Sequence, residues 1–346
     1  MIIADRIADL RARAARLPRI SLTQLPTPLQ ECPRFSAAIG GSVRVFMKRD
    51  DLILTGFGGN KIRKLEFTMG WVRQQGYDVV VHGLAGQSNY CRQTAAACAV
   101  AGIPCHLLLR SDHKAQDPAQ GNRLLDYVFG AEVTMLHGRD QAAAKDELVA
   151  RLTAAGKRPY VIGHDDEVRG AVAYALCLAE IIEQMAALGV TPDCICVTGG
   201  AGTSAGLMLG KHMLGFAGEV IGFGPAPAKR DAVRAERIAK IAQDAAALIG
   251  SSAIVAAKDI VNTSDFGGPE YGVPTPACLE AIAMLGRTEG LVVGPIYTAK
   301  GLAGLISHVR TGRIAAGKNV VFIHTGGSPE IFACNEEVAA YLLASS

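Results

Sequence analysis

A glycine turn, Gly58-Gly59-Asn60, ends on Lys61, and Ile62-Arg63-Lys64-Leu65-Glu66 follow it. The turn delivers Lys61 to the start of a helix with Arg63 and Lys64 close behind. A crowded positive neighbourhood is expected to depress the lysine's pKa, as a Schiff-base nucleophile requires. Taken on spacing alone, a plain basic helix start accounts for the same residues.

Two further segments carry the same mark of chemistry, polar groups gathered where a strand hands over to a helix. In Val197-Thr198-Gly199-Gly200-Ala201-Gly202-Thr203-Ser204-Ala205-Gly206, glycines follow an apolar strand. They allow close approach of an anion to successive N–H groups at the positive end of the next helix, so the loop reads as a phosphate cradle. It lacks the Gly-Lys-Ser/Thr ending of a Walker loop and the acidic ribose-binding residue of a dinucleotide fingerprint. A purely structural glycine turn is the alternative. In Gly86-Gln87-Ser88-Asn89-Tyr90-Cys91-Arg92-Gln93-Thr94, Ser88 fits a helix N-cap, and the helix start beside the Ser hydroxyl and Asn amide also suits a substrate carboxylate.

These loops need a frame, and from Val43 onward β-rich runs alternate with amphipathic or Ala-rich stretches, the pattern of a parallel sheet wrapped by helices. The expected strands are Val43 to Lys48, Asp78 to His82, His106 to Leu109, Glu132 to Leu136, Tyr160 to Ile162, Cys194 to Thr198, Glu219 to Phe223, Ile254 to Ala256 and Asn319 to His324. In such sheets ligands sit beyond the carboxyl ends of the strands. A smaller unit is expected over residues 63–164, with 1–62 and 165–346 forming a larger one.

A length of 346 residues with 49% hydrophobic content supplies a large core without disulfide staples. The nine cysteines form no CxxC pair and are read as reduced, buried small hydrophobes. Cys194 and Cys196 share one strand face, and Cys91 keeps some functional interest through its place in a motif. His82, His106 and His324 read as structural. A net charge of +3 without basic-aromatic tracts argues against nucleic acid. Met1 to Arg19 lacks the apolar core of a signal peptide and no later stretch is read as membrane-spanning, so a soluble, cytoplasmic protein is expected.

Taken in order, the Lys61 turn, the Gln87-Ser88-Asn89 segment, the glycine loop, Tyr271-Gly272-Val273-Pro274, Pro295-Ile296-Tyr297-Thr298-Ala299-Lys300 and Phe322-Ile323-His324-Thr325-Gly326-Gly327 closely resemble the D-cysteine desulfhydrase and 1-aminocyclopropane-1-carboxylate (ACC) deaminase family. These are fold-type II pyridoxal 5'-phosphate (PLP) enzymes, and the resemblance runs from about Leu25 to Cys334. It implies an α/β fold of two open, twisted, mostly parallel sheets flanked by helices, a PLP cofactor, a small amino-acid substrate and a homodimer.

By the same resemblance Lys61 would bind the cofactor aldehyde and later carry the α-proton. The loop Thr198, Gly199, Gly200, Ala201, Gly202 and Thr203 would hold the phosphate, and Asn89 would face the ring hydroxyl. Asn60, Thr298 and Thr325 complete the expected cofactor contacts. Ser88, Asn89 and Tyr90 would border the substrate, with Tyr271 and Tyr297 near its reacting carbons; without the family context both tyrosines read as ordinary half-buried residues. ACC deaminases carry glutamate where this chain has Thr298, and a neutral hydroxyl at the pyridine nitrogen makes a shallower electron sink. Thr298 therefore favours β-elimination, giving pyruvate, ammonia and sulfide from D-cysteine. L-Cysteate sulfo-lyase and ACC deaminase chemistry are the enzymatic alternatives. A non-catalytic PLP-binding protein is the other class, against which Lys61, Tyr271 and Tyr297 stand together.

Two departures from the family concern the substrate. Tyr90 replaces the usual histidine, and His164-Asp165-Asp166-Glu167 replaces a Gly-Gly-Ser-Asn segment. The acids could attract a cationic group, and His with carboxylates could ligate a metal. Capping by Asp165 or Asp166 of a helix beginning near Glu167 is the favoured reading, and no metal site is expected.

Overall fold

Alternation of apolar residues along the central strands decides the layering. In β7, Cys194–Thr198, and β10, Asn319–Ile323, Ile195, Val197, Val321 and Ile323 face one apolar cluster, while Cys194, Cys196, Val320 and Phe322 face another. Helices cover both faces, as a sheet buried on two sides requires. Each such fully buried aliphatic side chain stabilises by roughly 1.5–3 kcal/mol.

The computed structural model describes residues 2–111, 119–227 and 231–344. Its larger sheet also contains β1, Leu29–Glu31; β2, Arg44–Lys48; β8, Glu219–Phe223; and β9, Val261–Thr263, in the order β1-β2-β10-β7-β8-β9. Every pairing is parallel except β1 with β2. The smaller sheet, order β5-β4-β3-β6, is parallel throughout: β3, Val79–His82; β4, Cys105–Leu109; β5, Glu132–Met135; β6, Pro159–Val161. Val80, Leu107 and Leu109 pack toward the Lys61–Gln75 and Asn89–Ala101 helices, while Val81 and Leu108 face a separate cluster.

Three expectations need correction. The strand expected at Ile254 to Ala256 is instead β9, Val261–Thr263: Ile254 is 71% exposed, and Ala256 N–H donates to the Asp259 carboxylate. The antiparallel edge strand Leu29–Glu31 was not expected, because three residues carry no readable alternation. The helix His164–Ala187 is, by length and composition, apolar enough to cross a membrane. Its apolarity has an internal use, since 67% of that window is buried against the helices Lys61–Gln75, Ala201–Leu214 and Asp231–Leu248.

Candidate active site

The carboxyl ends of β3, β7 and β10 converge on a cavity of about 180 Å³ beside the start of the Lys61 helix. Asn60, Lys61, Ser88, Asn89, Tyr90 and Gly200 line it, as do Tyr271, Tyr297 and Thr325, so residues expected from six separate motifs meet in one place. A larger open groove of about 770 Å³ lies between the N-terminal helix and residues 173–187, and none of the expected site residues lines it.

Lys61 is held from both ends. The Gln93 side-chain oxygen accepts from the Lys61 and Ile62 N–H groups at 2.8 and 3.2 Å, capping a helix whose own N-cap, Asn60, makes no side-chain cap. Gly59, at φ +123°, permits this, because a Cβ there would stand 2.5 Å from Gln93 Nε2. Lys61 Nζ donates to Asn60 Oδ1 at 2.9 Å and lies 5.9 and 5.8 Å from the ring centres of Tyr90 and Tyr297. Burial lowers its pKa to about 8, against the opposing charges of Glu167 and Asp50. The expected cause, neighbouring positive charge, is thereby corrected: Arg63 is turned into an ion-pair network with Asp50 and Glu180. Lys64 does line the cavity, and it is itself pushed far down, first by burial and then by Lys61.

Ser88 is the N-cap of the helix Asn89–Ala101, its Oγ accepting from Tyr90 N and Cys91 N at 3.2 and 3.1 Å. Ser88→Ala is expected to cost about 1 kcal/mol of stability, read as a fall of a few °C in the melting midpoint, with Ser88→Thr restoring most of it. Asn89 accepts from Asn122 Nδ2 at 2.9 Å and donates to Glu330. The Tyr90 hydroxyl is buried without a hydrogen-bond partner among the described residues, and its ring meets His82 edge-on with centres 4.7 Å apart. Burial drives His82 down to about 3, so it is neutral. Cys91 is fully buried and its thiol is pushed up by burial, which leaves it a packing residue. Cys194 and Cys196 are likewise buried, with Sγ atoms 3.6 Å apart.

The glycine loop runs from the end of β7 into the start of the next helix. No side chain caps the helix Ala201–Leu214 at its N-cap, Gly200, and Ser204 Oγ is buried beside it without a hydrogen-bond partner among the described residues. A Cβ at Gly199 would run into that hydroxyl. An uncapped helix start with an orphaned buried hydroxyl fits a phosphate group. Asn60 joins this loop to the lysine by donating to Thr203 Oγ1 at 3.4 Å, while its N–H donates to Thr325 O at 3.1 Å. Across the cavity Thr298, 1% exposed, donates to Gly326 O at 2.7 Å and stands 3.0 Å from Thr325 Oγ1; Thr198 donates to the Thr298 carbonyl at 3.1 Å. Burial pushes the Tyr297 phenol up, so it keeps its proton.

The His164 cluster divides in three. The helix begins at His164 rather than near Glu167, and Asp166, fully buried, accepts from Gly163 N at 2.8 Å and Tyr160 OH at 3.0 Å. His164 turns outward to Asp244 at 2.9 Å, and Asp165 is exposed. Glu167 alone of the four lines the cavity, where Arg237 reaches its carboxylate at 2.6 Å. Among the described residues no cluster of His, Cys, Asp or Glu is arranged to hold a metal ion.

Sequence reasoning missed Gln93, Asn122 and Glu330, which act from behind the cavity wall. Gln93 stood inside a quoted motif, and its place four residues beyond Asn89 was the available signal. Asn122 and Glu330 carried none, since their partners lie 33 and 241 residues away.

The sequence profile of the family described as "Pyridoxal-phosphate dependent enzyme" matches residues 20–326. A D-cysteine desulfhydrase of Serratia proteamaculans (strain 568) is 37% identical over 338 residues, covering 95% of this chain and 100% of the relative. One from Yersinia enterocolitica (serotype O:8, biotype 1B) is 36% identical, covering 95% and 99%. The crystal structure of an ACC deaminase homologue superimposes with a TM-score of 0.86 at 31% identity, covering 96% of this chain and 99% of that one.

Proposed function

The chain belongs to the family of pyridoxal-phosphate-dependent enzymes, and from that premise we propose that it is a carbon–sulfur lyase that converts D-cysteine and water to pyruvate, ammonia and sulfide. The observation that carries the reading is the near full-length identity to D-cysteine desulfhydrases, joined to a small cavity with Lys61 at its wall. When bound, the cofactor supplies an electron sink for charge developing at the substrate's α-carbon.

The roles of the side chains follow from their surroundings. Lys61 holds the cofactor and moves the α-proton, and with its pKa near 8 it can exchange a proton close to neutrality. The Ser88 hydroxyl and the adjoining helix start receive the substrate carboxylate, with Tyr90 packed alongside. Tyr297, kept protonated by burial, holds a proton for the departing thiolate, and Tyr271 closes the same wall. Thr198 to Thr203 receive the phosphate; Asn60, Asn89, Thr298 and Thr325 border the cofactor. Among the described residues lining the cavity the cations are Lys61 and Lys64, while Arg234 and Arg237 stand at its edge, held to the Gly199 carbonyl and the Glu167 carboxylate. The same reading includes a cytoplasmic homodimer and a division into residues 63–164 and the remainder, a division supported by the two separate sheets.

The test is product analysis on the purified, PLP-loaded protein with D-cysteine, L-cysteine, L-cysteate and ACC. Sulfide and pyruvate from D-cysteine, at a kcat/KM at least about 100-fold above that for ACC, are expected, the scale at which a site discriminates by polar contacts. Preferred release of sulfite from L-cysteate, or ring opening of ACC, would replace the reading.

A further inference from the structure

Glu330 is a fully buried acid that no part of the mechanism uses. Its oxygens are held by N–H groups. Oε1 accepts from Asn89 Nδ2, and Oε2 accepts from Ile296 N at 3.0 Å, directly before Tyr297. The backbone makes room for it: a Cβ at Gly294 would strike Oε2, and one at Gly327 would lie 3.3 Å from Cδ and 3.4 Å from Asn89 Nδ2.

The direction of these bonds is set from a distance. The Arg92 guanidinium can only donate, and its Nε donates to Asn122 Oδ1 at 2.7 Å. Asn122 must therefore present its NH₂, which donates to Gln87 O and to Asn89 Oδ1, each at 2.9 Å. Asn89 is left with its own NH₂ directed at Glu330, one hydrogen engaged there and the other meeting no acceptor among the described residues. A carboxylate that accepts N–H bonds at both oxygens is satisfied as the ion.

We infer that Glu330 is a positioning residue: it fixes the Asn89 amide toward the cofactor ring, and its negative charge favours the protonated Schiff base at Lys61. The inference rests on the reading that Asn89 borders that ring. Burial raises the Glu330 carboxyl to about 7 against the bonds from Asn89 and Ile296 and the charge of Arg92, so its negative charge acts in full above that pH and fades below it. Tyr297, Lys300 and Cys278 also feel its charge; the packed helix Gly121–Val128 contributes Asp126, which shares Arg92's field, and the helix Asn335–Ala344 carries Glu336 and Glu337.

The experiment is a pH titration of the visible absorbance of the holoprotein for wild type, Glu330→Gln, Glu330→Ala and Asn89→Ala, with thermal melts as a folding control. Glu330→Gln brings an amide NH₂ against either Asn89 Nδ2 or Ile296 N, and is expected to lower the Schiff-base midpoint by about one pH unit. Glu330→Ala introduces no competing donor and is expected to move it the same way, which keeps the test usable should the Gln variant not fold. An unchanged midpoint in both Glu330 variants, with Asn89→Ala shifting the band, would overturn the role of Glu330 alone. No spectral change in Asn89→Ala would overturn the placement of Asn89 and the inference with it.

Discussion

Lys61→Ala is expected to leave a folded but colourless protein, with kcat/KM lowered by at least about 1,000-fold, the scale set by losing a positioned nucleophile and proton carrier together. The fold should survive because the helix start is held through the Lys61 and Ile62 N–H groups, which bond to Gln93 whatever side chain stands at residue 61. Cofactor capture by the apoprotein adds a pH signature. Burial lowers the Lys61 pKa to about 8, so the neutral amine is the minor form at pH 6 and the major one above pH 8. The rate of PLP capture should rise with pH and level off above about 8. A yellow, active Lys61→Ala variant would remove the lysine from the chemistry.

The second large effect is on stability. Arg63 lies at the centre of a buried network: Nε donates to Asp50 at 3.0 Å, Nη2 to Thr27 Oγ1 at 2.8 Å, and Nη1 to Glu180 at 2.8 Å. Tyr174 OH completes Asp50 at 2.7 Å and Lys48 reaches Glu180 at 2.8 Å. Arg63→Ala leaves Asp50 buried without its cation, a loss of about 3–5 kcal/mol. The melting midpoint of the holoprotein should fall on the order of 5–10 °C, and Arg63→Lys should recover part of this without the bidentate geometry.

The pH dependence follows from Asp50. Burial pushes its carboxyl up, but Arg63, together with the Tyr174 hydrogen bond and the charge of Lys48, more than offsets this and the net shift is downward. The stability it contributes is therefore present above the unfolded value near 4 and is lost as pH falls below it. The deficit of Arg63→Ala should be largest at neutral pH and narrow toward acid. Since the Asp50 charge raises Lys61, any loss of that charge in the variant should move the pH of PLP capture downward. An unaltered melt would show the network to be dispensable.

Much of the site was legible before any coordinates. Lys61, Ser88, Asn89, Tyr90, Tyr271 and Tyr297 all line one cavity because each stands where a strand or turn passes into a helix. Ser88 was readable both as a cap and as a wall residue, and it is both. The acidic cluster was legible only as a cluster: helix phase turned Asp166 inward as a brace, His164 outward, and Glu167 to the cavity.

By itself the sequence determined whatever depends on neighbours a few residues apart. Alternation over five residues set both faces of β7 and β10, and glycines beside polar residues marked the loops, because pleat and helix start are local properties of the backbone. Tertiary structure alone decided the rest. It showed that burial, not adjacent positive charge, lowers Lys61, that Arg63 faces away into its own network, and that β9 pairs at Val261–Thr263. It also brought Glu330 to Asn89 across 241 residues. Desolvation and long-range hydrogen bonds arise only when separate segments exclude water together, and no local pattern encodes that meeting.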